Sequence, residues 1–175
     1  LIDIPIWLSI FTFLIVIGWI NAFNFMDGIN GISVFYAGIS LLTFYLVPDL
    51  SNYRLIIEYI GIALIVFGYF NVRNTSIIFL GDVGSMSLAF VLAFLMMTLI
   101  YKTHRWEYII LFSVYGIDSV LTIAQRIYSK ENIINAHRLH LYQYLVDKMN
   151  YSHLLVSAIY SIFQLFINVI LLIII

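Results

Sequence analysis

The sequence contains no cysteine and few charged residues, and each shortage excludes a class of protein. Without cysteine, the chain can form neither disulfides nor thiolate metal sites. The formal net charge is −1, which gives no reason to expect a nucleic-acid partner. Charged residues make up 10% of the chain, against about 25% in soluble domains. The composition therefore argues against a soluble domain.

Apolar residues are abundant instead. They make up 63% of the 175 residues, and the mean hydropathy is +1.05. A soluble core of this size could not hide so much apolar surface, so lipid must surround much of the chain. We predict an all-α, polytopic integral membrane protein with about six transmembrane helices, at Ile4–Ile20, Ile32–Val47, Leu55–Phe70, Ser85–Tyr101, Tyr108–Ala124 and Leu154–Ile175.

The connecting segments alternate in character. The first, third and fifth contain nearly all the polar motifs, at Asn21–Ser33, Asn71–Ser85 and Gln125–His153. Segments that follow odd-numbered spans lie on one side of a membrane, so we expect these three to converge on one face. They carry more Lys and Arg than the other side, and the positive-inside rule then places them in the cytoplasm. The basic residues are Arg73, Arg126, Lys130, Arg138 and Lys148, against Arg54, Lys102 and Arg105.

The first polar segment, "NAFNFMDGINGIS", has Asn21, Asn24, Asp27 and Asn30 at every third position. On a straight helix, side chains at every third position point in progressively different directions, so these four can face one centre only if the helix unwinds. Gly28 and Gly31 would allow the helix to unwind. A carboxylate flanked by amides suits a hard cation or a nucleotide base. The alternative is a loop in which Asn and Gly cap two helices.

The second polar segment contains "FLGDVGS", in which Asp82 lies between Gly81 and Gly84. Glycines permit a ligand to approach the backbone closely, and a helix N-terminus favours negative charge. Asp82 either caps the following helix or holds a magnesium ion that binds a diphosphate. The motif alone leaves both interpretations open.

The third polar segment contains "AHRLHLYQYL". His137 and His140 are three residues apart, so on a helix they would share a face with Arg138 beside them. Histidine and arginine both donate hydrogen bonds to phosphate oxygens. Two histidines without a third ligand make a poor zinc site. The alternative is an ordinary surface helix.

Asp118 lies inside the fifth apolar span, where an unpaired charge costs about 2.5–3.5 kcal/mol on insertion scales. Arg126 follows two helical turns later. Asp118 therefore pairs with Arg126, lines the polar site, or has a structural role.

Together, the three motifs resemble those of the polyprenyl-phosphate N-acetylhexosamine-1-phosphate transferases, which form glycosyltransferase family 4. The family pattern Asn-x-x-Asn-x-x-Asp-Gly-x-Asp/Asn-Gly matches "NAFNFMDGING", and Phe-x-Gly-Asp-x-Gly-Ser matches "FLGDVGS". The form "AHRLHLYQ" of the histidine loop resembles branches that initiate O-antigen and capsule synthesis with UDP-GlcNAc, and "DSVLTIAQRI" resembles the segment before that loop.

The resemblance implies transfer of a sugar-1-phosphate from a UDP-N-acetylhexosamine to undecaprenyl or another polyprenyl phosphate, with release of UMP. It implies Mg²⁺, with Mn²⁺ as a substitute, held by Asn24 and Asp82. The catalytic residues would be Asp27, Asp82, His137 and His140. The substrate-binding residues would be Asn21, Asn24, Asn30 and Arg138, where Asp27 and Asn30 line the nucleotide site and the histidines and Arg138 surround the diphosphate.

Family members have ten or eleven spans and an aspartate-rich loop upstream of the first motif, but no Asp-Asp pair occurs in this sequence. We therefore expect residues 1–175 to form a single transmembrane domain, the C-terminal portion of the fold, with little or no activity alone. Asn30 stands where Asp is common in bacteria, which we expect to adjust the nucleotide contact. The resemblance places the protein in the inner (plasma) membrane and is compatible with a homodimer.

Two other functions fit parts of the sequence. A membrane transporter would explain an aspartate within a span and helices interrupted by glycine. An inactive fragment of the transferase would retain only the fold. Transporter sites usually lie near the bilayer midplane, whereas the polar residues here gather at one surface. This distribution favours the enzyme.

Overall fold

The computed structural model describes residues 5–130 and 140–174 of the chain, and within these ranges it contains helices and no strand. The predicted all-α class is therefore confirmed. The α-helices of these ranges are α1 (Ile6–Met26), α2 (Ile32–Leu46), α3 (Arg54–Asn71), α4 (Gly81–Thr103), α5 (Ser113–Tyr128), α6 (Leu141–Asp147) and α7 (His153–Ile174). Two 3₁₀ helices, Pro48–Tyr53 and Trp106–Phe112, lead directly into α3 and α5.

Five helical stretches of the described part are long and apolar enough to cross a membrane: Ser9–Met26, Pro48–Asn71, Gly81–Thr103, Trp106–Tyr128 and His153–Ile174. The expectation of about six spans needs a correction at α2. Its 15 residues rise about 22 Å, which is less than the ~30 Å of the hydrocarbon layer. The predicted run, Ile32–Val47, extends only one residue beyond the helix, so the error lay in counting a run of this length as a full span.

The helices extend further into the predicted polar segments than hydropathy indicates. α1 continues through Asn21 and Asn24 and ends at Met26, so that the first turn occupies only residues 27–31. Gly31, the residue before α2, has φ 83°, a backbone conformation that favours glycine. Its N–H donates to Oδ1 of Asn71 at 2.8 Å, which ties this turn to the end of α3.

Stacked aromatic rings hold the membrane helices together. Trp19 of α1 stacks on Phe112 with a centroid distance of 3.9 Å, and Tyr36 of α2 stacks on Tyr115 of α5 at 3.6 Å. The indole Nε1 of Trp19 donates to the carbonyl of Ala89 in α4 at 3.1 Å. Because all these side chains are buried, their contacts fix how α1, α2, α4 and α5 pack.

A chain of polar side chains joins α2 to α7. Oη of Tyr36 donates to Oε1 of Gln164 at 3.0 Å, Nε2 of Gln164 donates to Asn168 at 2.7 Å, and Nδ2 of Asn168 donates to Thr43 at 2.9 Å. Polar groups inside a membrane protein must be satisfied internally. The chain of hydrogen bonds therefore holds α7, and the segment that precedes it, against α2.

Candidate active site

The end of α1 and the start of α4 meet at Ser85. Its Oγ donates a hydrogen bond to Oδ1 of Asn24 and lies 3.2 Å from the backbone carbonyl of Asp82. Ser85 is fully buried, whereas the side chain of Asp82 is exposed. No group in residues 5–130 or 140–174 forms a hydrogen bond with the Asp82 carboxylate. We call Asn24, Asp27, Asp82 and Ser85 the acidic corner.

Asp27 follows the last residue of α1, and its Oδ1 accepts a hydrogen bond from Oγ of Ser33 at 2.6 Å. Burial raises the pKa of Asp27 to about 6; the hydrogen bond from Ser33 opposes this rise, and the negative charge of Asp82 adds to it. The two carboxylates are thus close enough to repel each other. A cation between them would relieve that repulsion.

The donor set of the acidic corner fits magnesium. Carboxylate and amide oxygens are ligands of Mg²⁺, which commonly uses one or two carboxylates together with substrate phosphates and water. Within the described parts of the chain, no group of three or more His, Asp or Glu residues gathers at one place. An all-carboxylate or histidine-rich metal site is therefore not formed there, while a sparse magnesium site is chemically suitable.

Asn30 links the three polar segments. Its buried side chain donates from Nδ2 to the carbonyls of Arg73 and Asn74, at 2.8 and 3.2 Å. Its backbone N–H lies 3.4 Å from Nδ1 of His153, and its carbonyl accepts a hydrogen bond from Ser157 at 2.8 Å. The amide nitrogen of Asn30 is thus engaged within the protein, and its contact with a nucleotide stays a prediction.

Asn21 lies one helical turn before the acidic corner. It is exposed on α1, and its Nδ2 donates to the carbonyl of Ile17 at 3.0 Å. This contact is with its own helix. The supporting role predicted for Asn21 in nucleotide binding stays a prediction.

We call residues 136–145, "AHRLHLYQYL", the histidine segment, and His140 is its first described residue. His140 is the N-cap of α6, with extended backbone angles of φ −63° and ψ 146°, and its N–H donates to Oε1 of Gln143 at 3.2 Å. The helix face that it was expected to share with His137 stays a prediction. His137 and Arg138 lie outside the described residues.

Asp118 contacts the histidine segment from inside the membrane span. Its Oδ1 lies 3.2 Å from Nδ1 of His140 and accepts the N–H of Leu141 at 3.1 Å, and its Oδ2 accepts the hydroxyl of Tyr160 at 2.6 Å. These contacts bear on one of the three alternatives left open by the sequence. The Asp118 carboxylate contacts the segment that contains His140, and a pair with Arg126 is not among its contacts in the described structure.

Tyr142 joins α6 to the first polar segment. Its Oη donates to the carbonyl of Phe25 at 2.8 Å. A Cβ on Gly28 would lie 2.1 Å from that oxygen, so only glycine permits the two segments to approach this closely. With the contacts of Asn24 and Asn30, this hydrogen bond brings all three polar segments together. Their predicted convergence is confirmed.

Several residues of this region could not be found from the sequence. Ser33, Asn71, Tyr142 and Tyr160 each bind a residue that is predicted to be functional or its backbone neighbour. A serine or tyrosine near an apolar run has no distinctive spacing. Their roles arise from contacts between distant parts of the chain, and a single sequence contains no signal for such contacts.

Comparison with known sequences identifies the family of this chain. Residues 1–100 match the model of the glycosyl transferase family 4, and the chain belongs to this family. The family predicted from the three motifs is therefore confirmed, and with it a multi-pass membrane protein of a transferase family.

Individual relatives have one common name. The chain is similar to the phospho-N-acetylmuramoyl-pentapeptide-transferases of Lactococcus lactis subsp. cremoris (strain MG1363), 31% identical over 134 residues, and of Streptococcus mutans serotype c, 31% identical over 138 residues. Each match covers 74% of this chain and 39% of the relative. The transferase of Streptococcus uberis is 32% identical over 118 residues, 66% of this chain and 34% of the relative. The matches thus span between about a third and two fifths of the length of these relatives.

Proposed function

We propose that the full-length protein transfers an N-acetylhexosamine-1-phosphate from a UDP-sugar to undecaprenyl or another polyprenyl phosphate and releases UMP, the first step of a cell-surface glycan. The observation that carries this proposal is the meeting of the acidic corner with the histidine segment where the membrane helices end. A lipid-borne acceptor and a water-soluble donor can both reach such a place. The names of the relatives, which describe transfer of a phospho-sugar unit, support the same reaction class.

The acidic corner would hold the metal and the nucleotide. The chemical difficulty of the reaction is to bring two anionic groups together, and Mg²⁺ when bound supplies positive charge that lowers this repulsion. Asn24 and Asp82 would hold the ion, because Ser85 fixes the amide oxygen of Asn24 beside the start of α4. Asp27 would line the nucleotide site, with Asn30 and Asn21 next to it.

The histidine segment would bind the diphosphate. His140 is held within the site, and we place His137 and Arg138 of the same segment in this role by resemblance to the family. Donors of this kind stabilise charge that develops on phosphate oxygens. The acceptor phosphate is already an anion, so the protein needs to position it more than to deprotonate it.

The proposal includes the location and the extent of the site. The three polar segments would face the cytoplasm, where nucleotide sugars occur, and residues 1–175 would be one part of a single transferase domain in the plasma membrane. The transporter alternative depended on a charge within a span and on helices interrupted by glycine. Because the Asp118 carboxylate is engaged by residues of its own protein, the first of these two arguments loses its force.

The test measures UMP release by the full-length protein with Mg²⁺, undecaprenyl phosphate and a panel of donors: UDP-GlcNAc, UDP-GalNAc and UDP-N-acetylmuramoyl-pentapeptide. We expect release with one UDP-HexNAc, and a loss of at least about 100-fold in Asp82→Asn, because a metal-holding carboxylate is removed. Asp49→Asn is the matched control, since Asp49 is an exposed aspartate on the 3₁₀ helix before α3 and should retain full activity.

Three outcomes count against the proposal. No release with any donor would overturn the reaction, and release only with the muramoyl donor would replace the sugar. Full activity of Asp82→Asn would refute the metal role of the acidic corner.

A further inference from the structure

The hydroxyl of Tyr142 contacts the backbone of the first polar segment at two points. Its Oη donates to the carbonyl of Phe25 at 2.8 Å. A Cβ on Gly28 would lie 2.1 Å from the same oxygen, so the hydroxyl also packs against the backbone of Gly28. Phe25 and Gly28 lie on either side of Asp27 along the chain. One fully buried side chain therefore contacts the chain before and after this carboxylate.

The end of α1 needs a hydrogen-bond donor at this place. The last four carbonyls of an α-helix have no N–H partner within the helix, and Phe25 is the next-to-last residue of α1. The carbonyl of Met26 accepts the N–H of Gly28 at 2.9 Å, a contact within the turn itself. The carbonyl of Phe25 receives a hydrogen bond from Tyr142, a residue 117 positions away in the chain. The turn that contains Asp27 is thus held partly by another segment.

The ring of Tyr142 is fixed by its packing against the histidine segment and α7. Tyr142 lies in the first turn of α6, two residues after His140. The centroid distance is 5.8 Å between the rings of His140 and Tyr142 and 6.4 Å between those of His140 and Phe25. The ring of Tyr160 meets that of Tyr142 edge-on at 6.4 Å. Because side chains in such interiors are closely packed, a displacement of α6 would be transmitted to the turn that contains Asp27.

We propose that Tyr142 is a positioning residue: its hydroxyl holds the backbone around Asp27 and thereby sets the separation between the acidic corner and the histidine segment. The need for a fixed separation rests on the proposed function. A nucleotide sugar would place its nucleotide at the acidic corner and its diphosphate at the histidine segment, so one ligand has to reach both. Holding two binding regions at the right separation before the ligand arrives lowers the cost of binding. The attachment of α6 to the end of α1 does not depend on that function.

The first test follows the backbone of the turn directly. Amide hydrogen exchange of the full-length protein in detergent is measured by mass spectrometry for the wild type and for Tyr142→Phe, which removes the hydroxyl and keeps the ring. We expect peptides that contain residues 25–31 to exchange at least about 5-fold faster in the variant, because a hydrogen bond at the end of α1 is lost. Peptides from Pro48–Tyr53 should exchange as in the wild type.

Two results of the exchange measurement would overturn the proposal. Unchanged exchange of residues 25–31 would mean that the hydroxyl does not hold the turn. Equally faster exchange in all peptides would mean that the hydroxyl stabilises the protein as a whole and has no local role. Neither result depends on catalytic activity.

The second test separates positioning from a general loss of active protein. With the UDP-HexNAc that the wild-type protein uses, Tyr142→Phe should raise KM for the donor about 10-fold and leave kcat within about 2-fold. The reason is that a bound donor restores the separation once it reaches both regions. A merely structural defect would reduce the amount of active protein, which lowers kcat and leaves KM unchanged. That result would overturn the proposal, and so would a variant with wild-type KM and kcat.

Tyr151→Phe is the matched control. Tyr151 lies between α6 and α7, its side chain is exposed, and its hydroxyl forms no hydrogen bond with a described group. We expect wild-type exchange and wild-type KM, and a rise in KM as large as that of Tyr142→Phe would contradict a specific role of Tyr142. If the wild-type protein releases UMP from no donor, the proposed function fails, and the exchange measurement still decides whether Tyr142 holds the turn.

Discussion

Asp82 and Asp118 both lie on helices that border the candidate site, yet their carboxylates have opposite surroundings. Asp82 is exposed in the first turn of α4, and no described group forms a hydrogen bond with its carboxylate. Asp118 is buried, and both of its carboxylate oxygens accept hydrogen bonds. A carboxylate without partners remains available to a cation, whereas one with a full set of partners holds its neighbours in place. The motif that is visible in the sequence contains the first kind, and the folded structure reveals the second.

The largest expected difference between the two aspartates is in stability. Asp118→Leu leaves the N–H of Leu141 and the hydroxyl of Tyr160 without their acceptor, so we expect a loss of about 3 kcal/mol in the free energy of unfolding. Asp82→Leu should change it by less than about 0.5 kcal/mol, because the side chain is exposed. Unfolding of the full-length protein in detergent measures both. Equal losses would contradict the distinction between the exposed carboxylate of Asp82 and the hydrogen-bonded carboxylate of Asp118.

A substitution at Gly28 tests how closely α6 approaches the turn after α1. Gly28→Ala puts a Cβ 2.1 Å from Oη of Tyr142, so we expect a loss of about 1–3 kcal/mol in the free energy of unfolding. Adding Tyr142→Phe should recover part of it, because the clashing oxygen is removed. Gly18→Ala is the control, since a Cβ there meets nothing within 4 Å. If Gly28→Ala leaves the free energy of unfolding unchanged, α6 does not approach α1 in this way.

The acidic corner also has a pH signature. Burial raises the pKa of Asp27 from 3.8 to about 6, so the native state binds this proton more tightly than the unfolded state. The stabilisation is complete below the unfolded pKa and is lost as the pH rises through about 6. In metal-free protein, we expect part of the fall in melting temperature between pH 4 and pH 6.5 to disappear in Asp27→Asn.

Asp49→Asn is the control for this pH dependence. The full fall in melting temperature between pH 4 and pH 6.5 should remain in this variant, because Asp49 lies on the 3₁₀ helix before α3 and does not belong to the acidic corner. An identical pH profile for Asp27→Asn and the wild-type protein would contradict the burial of Asp27.

The smallest effect is expected in the polar chain between α2 and α7. Asn168→Leu removes the hydrogen bond to Thr43, but Nε2 of Gln164 still donates to the carbonyl of Ile110 at 3.3 Å. Hydrogen bonds between membrane helices contribute about 0.6 kcal/mol on average, so we expect a loss of that order in the free energy of unfolding. A loss as large as that of Asp118→Leu would mean that these polar groups depend on one another as strongly as the partners of Asp118 do on its carboxylate.

The helices were largely predictable because the bilayer demands long apolar runs. Their ends were not. Asn21 and Asn24 suggested a loop, but a helix can continue past polar side chains when its backbone hydrogen bonds remain intact, and α1 ends only at Met26. α6 was not predicted as a separate helix beginning after His140, because the capping interaction that starts it involves Gln143 and only forms in the folded chain.

The acidic corner was predictable as a set of residues, because Asn24, Asp27 and Asp82 belong to motifs with fixed spacing. The contacts that organise it were not. Ser85 joins Asn24 to the start of α4, and Tyr160 supports Asp118 from 42 residues away. Such pairs depend on how the membrane helices pack, which the hydropathy of each span does not specify.

The central claim is that the exposed carboxylate of Asp82, together with Asn24 in the acidic corner, binds a divalent cation. Binding of Mn²⁺ to the full-length protein, measured by electron paramagnetic resonance without any substrate, tests it most directly. We predict one bound Mn²⁺ in the wild-type protein and in Asp49→Asn, displaced by Mg²⁺, and none in Asp82→Asn. Equal binding by the wild-type protein and Asp82→Asn would contradict the account.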